Sequence, residues 1–434
     1  MAEKLKRYRV WREAAGGAIL VLAIFIAACA QPPEPVGKGC GWSMAKGDTT
    51  TGLGMSDFNA SYMGALMPVK VGVTLKVRGE FPHSRYASFV LYDQDFMLID
   101  SIRDYEIVPS QGVNPFLPGA DRGPKYLGEY ELTVVSDPPP KSGRAKNTLY
   151  AGLDHQGKPN RMAVLAYRVY LPDRGLGFRD HNPSAMFGGV EPQEVQFYKA
   201  QGLPFCPGSA FKRMGMGRVM GSILRANQEM MADPMKALGG LSNPPLWYNN
   251  ASDLEQRDNT LVPNDDTRYI AAPVLSKFGE LLVLRWKPVN TPVETYDGKP
   301  FPAKSDMRYW SVSFAYIDRS KPLVVYTEKT LADVDLPRLP DGTSRLVVGF
   351  GGMDRPDFVP AGQWVGLKLK EGFVIARNIL IRPDFPGQFG KIPRGKIPPE
   401  YDQYTPGGVY CSKEELKQNP DLGLSRPQPP AGGK

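Results

Sequence analysis

Apolar and polar residues alternate along Val71–Phe81 (VGVTLKVRGEF), the period of a strand with one buried and one wet face. Similar runs recur at Arg85–Asp93 (RYASFVLYD), Tyr130–Asp137 (YELTVVSD), Asn147–Gly152 (NTLYAG) and Met162–Pro172 (MAVLAYRVYLP). Farther on come GELLVLRWKP (Gly279–Pro288), RYWSVSFAYI (Arg308–Ile317), PLVVYT (Pro322–Thr327), SRLVVGFGG (Ser344–Gly352), WVGLKLK (Trp364–Lys370) and FVIARNILIRP (Phe373–Pro383). Turn-forming clusters such as DPPPKSGRAKN separate them. Short strands spaced by turns predict a mainly β chain, built as two tandem β-sandwich domains of jelly-roll type. The one substantial helical pattern is Gly215–Gly240, whose Met216, Val219, Met220, Ile223, Leu224, Met230 and Met231 share a side and would pack on a sheet. A shorter helix is expected at SKEELKQN, where Ser412 and Glu415 fit a capping box.

The two-domain reading comes from a repetition. RYASFVLYD and RYWSVSFAYID say nearly the same thing, and their leaders align as well. With Tyr62 set on Tyr269, Ala65 meets Ala272, Gly72 meets Gly279, Leu75 meets Leu282 and Arg78 meets Arg285. Each half closes on an apolar run that holds an Arg and then a Pro-Asp, at Val164–Asp173 and Val374–Phe385, with the Arg-to-Pro spacing two residues longer in the second copy. Repeats this long are whole domains rather than solenoid units. The expected division is a leader (1–28), a tether (29–56), a first sandwich (57–202), a helical linker (203–263), a second sandwich (264–390) and a Pro-rich tail (391–434).

Composition sharpens only part of this. Among 434 residues, Gly 46 and Pro 42 favour strands and loops over helices. The formal charge of +8 is spread along the chain, and no nucleic-acid motif accompanies it. The N-terminus carries Lys4, Lys6, Arg7, Arg9 and Arg12, then the apolar run Gly16–Ala30. That run suits a signal-peptide core and is short for a membrane span, which needs ~20 residues. Its end, Ile26–Cys29 (IAAC), resembles the lipobox of bacterial lipoproteins, which implies cleavage before Cys29 and acylation of that residue. The expectation is therefore a membrane-anchored protein of the bacterial cell envelope. Of the other cysteines, Cys40 and Cys206 bracket the first domain and are the expected disulfide, with Cys206–Cys411 as the rival pairing.

Candidate chemistry is sparse. The three histidines (His83, His155, His181) lack metal-ligand spacing, and the Asp-His pairs at Asp154–His155 and Asp180–His181 read as solvated loops. No G-x-S-x-G elbow, Walker loop or dinucleotide fingerprint is present, so no cofactor and no metal site is expected. Asp93, Asp95 and Asp100 could gather on a turn and hold Ca²⁺, although acidic turns are usually just hydrated. The loop Gly112–Gly123 (GVNPFLPGADRG) reads either as a recognition loop or as a packed one. The repeated Arg85, Tyr86, Arg308, Tyr309 and Trp310 allow two readings. They could line two ligand pockets, with Arg gripping an anion and the rings stacking. They could instead be architectural, and their survival in both copies favours that.

Several of these phrases (RGEFPHSRYASFVLYD, NPFLPGADR, NTLYAG, YRVYLPDRG, RYWSVSFAYID, RNILIRPDF) resemble a family of exported bacterial proteins of unknown function with duplicated β-sandwich domains. The resemblance covers about residues 57–390 and implies an envelope address without a known reaction. The favoured function is a non-catalytic, lipid-anchored envelope protein that binds a protein partner or a glycan, or serves as a subunit of a surface assembly. The rival is a hydrolase of polysaccharide or lipid that uses two carboxylates in an inter-domain cleft.

Overall fold

The computed structural model describes residues 44–46, 57–120, 128–172, 194–199, 241–249, 264–292, 305–317, 325–393 and 395–423. The Met-rich helical pattern, Cys29, Cys40, Cys206 and His181 lie outside these residues. The architecture is mainly β, in several largely antiparallel sheets. Among the described residues no helix is long and apolar enough to cross a membrane.

The first half contributes nine strands: β1 (Met44–Lys46), β2 (Ala60–Pro68), β3 (Val73–Glu80), β4 (Ser84–Tyr92), β5 (Leu98–Arg103), β6 (Glu129–Val135), β7 (Thr148–Tyr150), β8 (Met162–Pro172) and β9 (Glu194–Lys199). They form a sheet ordered β1-β2-β8-β4-β5 and another ordered β7-β6-β3-β9. Alternate residues of the two sheets meet in one core, among them Met63, Ala65, Leu75, Val77, Phe89, Leu132 and Leu165. The period-two pattern is what puts them on the same face.

The second half adds β10 (Tyr248–Asn249), β11 (Thr267–Leu275), β12 (Leu281–Trp286), β13 (Met307–Ile317), β14 (Val325–Ala332), β15 (Ser344–Gly349), β16 (Trp364–Gly366), β17 (Glu371–Ile381), β18 (Gly395–Lys396) and β19 (Gly407–Cys411). Their orders are β14-β13-β17-β11-β10-β18 and β16-β15-β12-β19. The topology repeats that of the first half strand for strand. β2-β8-β4-β5 corresponds to β11-β17-β13-β14, and β7-β6-β3-β9 to β16-β15-β12-β19. In each half the one parallel pairing falls at the same place, β6 with β7 and β15 with β16. Register agrees too: Tyr62 pairs with Arg168, and Tyr269 with Arg377. Near the ends of β8 and β17, Leu171 and Leu380 share a positive φ of 46° and 49°. Each donates its N–H to a carbonyl before the leading strand, of Asn59 and Asp266 respectively.

The tail departs from expectation. Instead of an irregular extension, it completes both sheets of the second half. β19 pairs along β12, from Leu281 with Cys411 to Arg285 with Gly407, and β18 extends the other sheet through β10. Two glycines open β19 and dilute its strand pattern. They also permit a close approach, since a Cβ at Gly408 would stand 3.0 Å from the Pro245 ring. The Lys413–Gln418 helix follows, with the expected capping box between Ser412 and Glu415.

Candidate functional site

The repeated Arg-Tyr phrases meet each other. Arg85 is the second residue of β4 and Arg308 the second of β13, and the two strand starts face across the boundary between the halves. Arg85 Nη1 donates to Asp333 Oδ2 at 3.0 Å and to the Arg308 carbonyl at 3.4 Å. Arg308 Nη1 returns the arrangement, donating to Asp104 Oδ1 at 3.3 Å and to the Arg85 carbonyl at 3.5 Å. Asp104 and Asp333 are themselves equivalent: each begins a short 3-10 turn, Asp104–Glu106 after β5 and Asp333–Asp335 after β14. The tyrosines also cross over. Tyr86 Oη donates to Asp266 Oδ2 at 2.6 Å, and Tyr309 Oη to Asp57 Oδ2 at 2.7 Å. Burial, reinforced by the neighbouring carboxylate, holds both phenols well above their ordinary pKa, so they remain donors.

These contacts make a two-fold-like seam. Its apolar part joins Ala60, Tyr86, Tyr170 and Leu171 of the first half to Tyr309, Ala332 and Ile379 of the second. Arg85, Tyr86 and Tyr309 are almost fully buried in it. Trp310 turns the other way, into the second core against Trp286, ring centroids 5.2 Å apart. Trp310 also lines a cavity of about 170 Å³ with Asp333 and Arg338, which is small for a ligand site. The five candidate residues are thus brought together by the boundary and by a core, and the side chains at the seam are engaged with the opposite half.

A larger cleft lies at the outer edge of the first half. It measures about 790 Å³ and is floored by β5, with Arg144, Asn147, Thr148 and His155 on its walls and Asp265 reaching in from the second half. Its charged groups are mostly committed to one another. Arg144 pairs with Asp100, whose Oδ2 also accepts the Tyr150 N–H at 2.8 Å. Arg103 pairs with Glu106 at 3.0 Å and with buried Asp266. Asp266 thereby ties the cleft to the seam, since it also accepts Tyr86. Asn147, held at a φ of 50°, exchanges hydrogen bonds with the Val108 backbone at 2.7 and 2.8 Å. Two arginines stand against three carboxylates, so the cleft has no surplus positive charge for an anion.

The acidic turn after β4 has a different partner than expected. Asp93, Asp95 and His155 lie close enough for their ligating atoms to fall within 4.8 Å, whereas Asp100 points to Arg144 instead. Asp93 is fully buried and committed on both oxygens. Oδ1 accepts the N–H groups of Asp95 (2.8 Å) and Met97 (3.0 Å); Oδ2 accepts from the His155 backbone (3.0 Å) and meets its Nδ1 (2.6 Å). The geometry is that of a clip between two loops, and it corrects the solvated-loop reading of His155. The Gly112–Gly123 loop is packed at Asn114–Phe116 and exposed on either side: Asn114 Nδ2 donates to the carbonyls of Asp104 (2.7 Å) and Ile107 (2.8 Å), and Phe116 is buried. Cys411 is a buried free thiol, pushed up to about 11 by burial first and Glu415 next.

No family model matches the chain, and no curated protein matches it. Among solved structures it is similar to an uncharacterised protein from Burkholderia cenocepacia, at a TM-score of 0.50 and 12% identity, covering 94% of this chain and 99% of that one. A protein from Vibrio parahaemolyticus aligns with a TM-score of 0.38 and 11% identity over 78% of this chain and 88% of that one. The first likeness carries the fold. Both neighbours are of unstated function.

Proposed function

We propose that this chain is a lipid-anchored protein of the bacterial envelope that binds an uncharged, polyhydroxylated ligand of the glycan type in the β5 cleft. One observation carries the binding reading: both of the cleft's arginines are already paired, Arg144 with Asp100 and Arg103 with Glu106 and Asp266. Such pairs present fixed N–H donors and carboxylate oxygens with no surplus positive charge, which suits hydroxyl groups better than an anion. The same commitment speaks against the hydrolase reading. Glycoside cleavage needs one carboxyl kept protonated and a second able to act as base or nucleophile, and Asp100 and Glu106 are each already engaged by an arginine. The envelope address rests on the basic leader, its apolar run and the IAAC end before Cys29.

Calorimetric titration of the exported protein against neutral and acidic oligosaccharides tests the ligand class. Neutral sugars should bind, and Arg144→Ala should weaken them about tenfold, the worth of one good hydrogen-bonding group. Preference for acidic sugars, or affinity indifferent to Arg144, would sink the reading. Cys29→Ala should release the exported protein from membranes, and continued membrane association would remove the lipid anchor from the proposal.

A further inference from the structure

Seven large apolar side chains stand exposed among the described residues, and four of them, Tyr105, Val108, Val113 and Leu117, fall within thirteen consecutive residues. Exposed apolar residues are ordinary when scattered; gathered on one loop they mark a contact surface. The loop does not expose them through slackness. Asn114 is 1% exposed and holds the carbonyls of Asp104 and Ile107, while its Oδ1 takes the Phe116 N–H at 2.8 Å. Phe116 is wholly buried, its ring 6.3 Å from that of Phe81. Val113 and Leu117 flank this buried clip and are held outward by it. The patch also abuts the cleft. Tyr105 sits between the cleft residues Arg103 and Glu106, and Val108 exchanges both backbone hydrogen bonds with Asn147 of the cleft wall.

A polar cleft beside a fixed apolar loop matches a ligand with a polar head and an apolar body. The geometry points to a membrane glycolipid, its sugar in the β5 cleft and its acyl region against Tyr105, Val108, Val113 and Leu117; this rests on the cleft being a glycan site. The lipid anchor proposed at Cys29 favours a lipid over a soluble partner. Fifteen peptide steps separate Cys29 from Met44, a reach of at most ~50 Å. β1, which begins at Met44, and β5, which leads into the loop, are the two edges of one five-stranded sheet, ~19 Å apart at ~4.8 Å per strand step. An acylated Cys29 therefore keeps the loop within reach of the bilayer that carries the anchor. Among the described residues from Asp104 to Ala120 there is no lysine or arginine of the kind an anionic membrane surface would select, so recognition falls to the sugar.

The test uses the exported chain carrying Cys29→Ser, so that no acyl group contributes, with and without Val113→Ser and Leu117→Ser together. Both side chains are exposed, and an unchanged unfolding midpoint shows that the double variant is folded. Binding is measured by co-sedimentation with phosphatidylcholine vesicles containing or lacking a monoglycosyl diacylglycerol, and separately by titration with the free monosaccharide headgroup. The expected result is at least tenfold tighter binding to glycolipid vesicles than to plain ones. The double variant should lose about tenfold or more of that binding while keeping its affinity for the free sugar. Equal binding by the variant, or no preference for glycolipid over plain vesicles, overturns the inference. Free-sugar binding with no vesicle binding also overturns it and leaves the cleft reading standing. Loop-dependent binding to glycolipid vesicles without free-sugar binding supports the loop contact and removes the cleft as the glycan site. Loop-dependent crosslinking to a protein in intact cells, with no vesicle binding, assigns the patch to that protein and overturns the lipid.

Discussion

The edges of the two halves begin alike and end differently. β5 and β14 each run into a 3-10 turn whose first residue, Asp104 or Asp333, accepts an arginine from the opposite half. Beyond the turns the likeness stops. In the first half the chain continues through a pinned loop with four exposed apolar side chains and borders a cleft of about 790 Å³. At the corresponding turn of the second half, Asp333 takes Thr291 as a further partner and borders a cavity of only about 170 Å³. What the two copies share faces the other copy. What differs beyond the turns borders the clefts and solvent. The repeated phrase is therefore a statement about how the halves hold together, and the search for function belongs where the halves disagree.

The seam itself contains an asymmetry that can be broken experimentally. Both halves send a tyrosine to a buried aspartate, yet the aspartates are not equivalent. Asp57 corresponds to Asn264, and Asn59 to Asp266, by matching backbone hydrogen bonds into the leading strands. The acid has moved two residues and still meets its tyrosine. The largest effect is expected from Asp57→Ala. Asp57 accepts Tyr309 Oη, Ser311 Oγ (2.8 Å) and Arg377 Nη1 (2.6 Å), and Arg377 is only 3% exposed. Removing one partner of such a buried pair costs about 3–5 kcal/mol, read from urea unfolding. Asp266→Ala should cost less, about 2 kcal/mol, because its arginine partner, Arg103, is a quarter exposed and keeps Glu106. Equal losses would mean that the two positions carry the same load, contrary to the difference in burial. Tyr86→Phe and Tyr309→Phe should be the mildest and nearly equal, about 1–2 kcal/mol each for one charge-assisted hydrogen bond. A large inequality between them would end the two-fold description of the seam.

The sequence carried the sheets well and the cleft poorly, for physical reasons. Val73–Glu80 has one face in a core, and burial imposes a period there that can be read directly, whereas Ser84–Tyr92 is buried along its whole length and reads as an apolar run. β5 escaped notice because it is an edge strand whose residues are nearly all half-buried, so neither face enforces a pattern. The cleft draws on β5, on Arg144–Thr148, on His155 and on Asp265, and its pairings span 44 residues from Arg144 to Asp100 and 163 from Arg103 to Asp266. No local spacing announces contacts made across such distances. The Asp93–His155 clip was hidden likewise, with 62 residues between its partners. The signal that did cross long distances was repetition: RY twice placed Arg85 and Arg308 in one class before any contact between them was known.

The inner sheets offer the last and smallest comparison. β9 and β19 occupy the same place beside β3 and β12, but β19 ends on a buried thiol. Burial raises the Cys411 pKa to about 11, with Glu415 adding to it, against about 8.5 for an unfolded thiol. The protonated form is therefore favoured in the fold. The resulting stability is fully present below pH ~8.5 and is lost as pH climbs toward the folded value of about 11. Tyr410, pushed up to about 12 by burial, continues the loss at higher pH. Unfolding midpoints measured from pH 7 to 10.5 should fall with pH, and the fall should be shallower in Cys411→Ala, whatever that variant's baseline stability. Folded protein should react slowly with a thiol reagent at pH 8, and denatured protein fast. Parallel pH slopes in the two proteins would show that Cys411 stays in contact with solvent and that β19 does not seal the edge of its sheet.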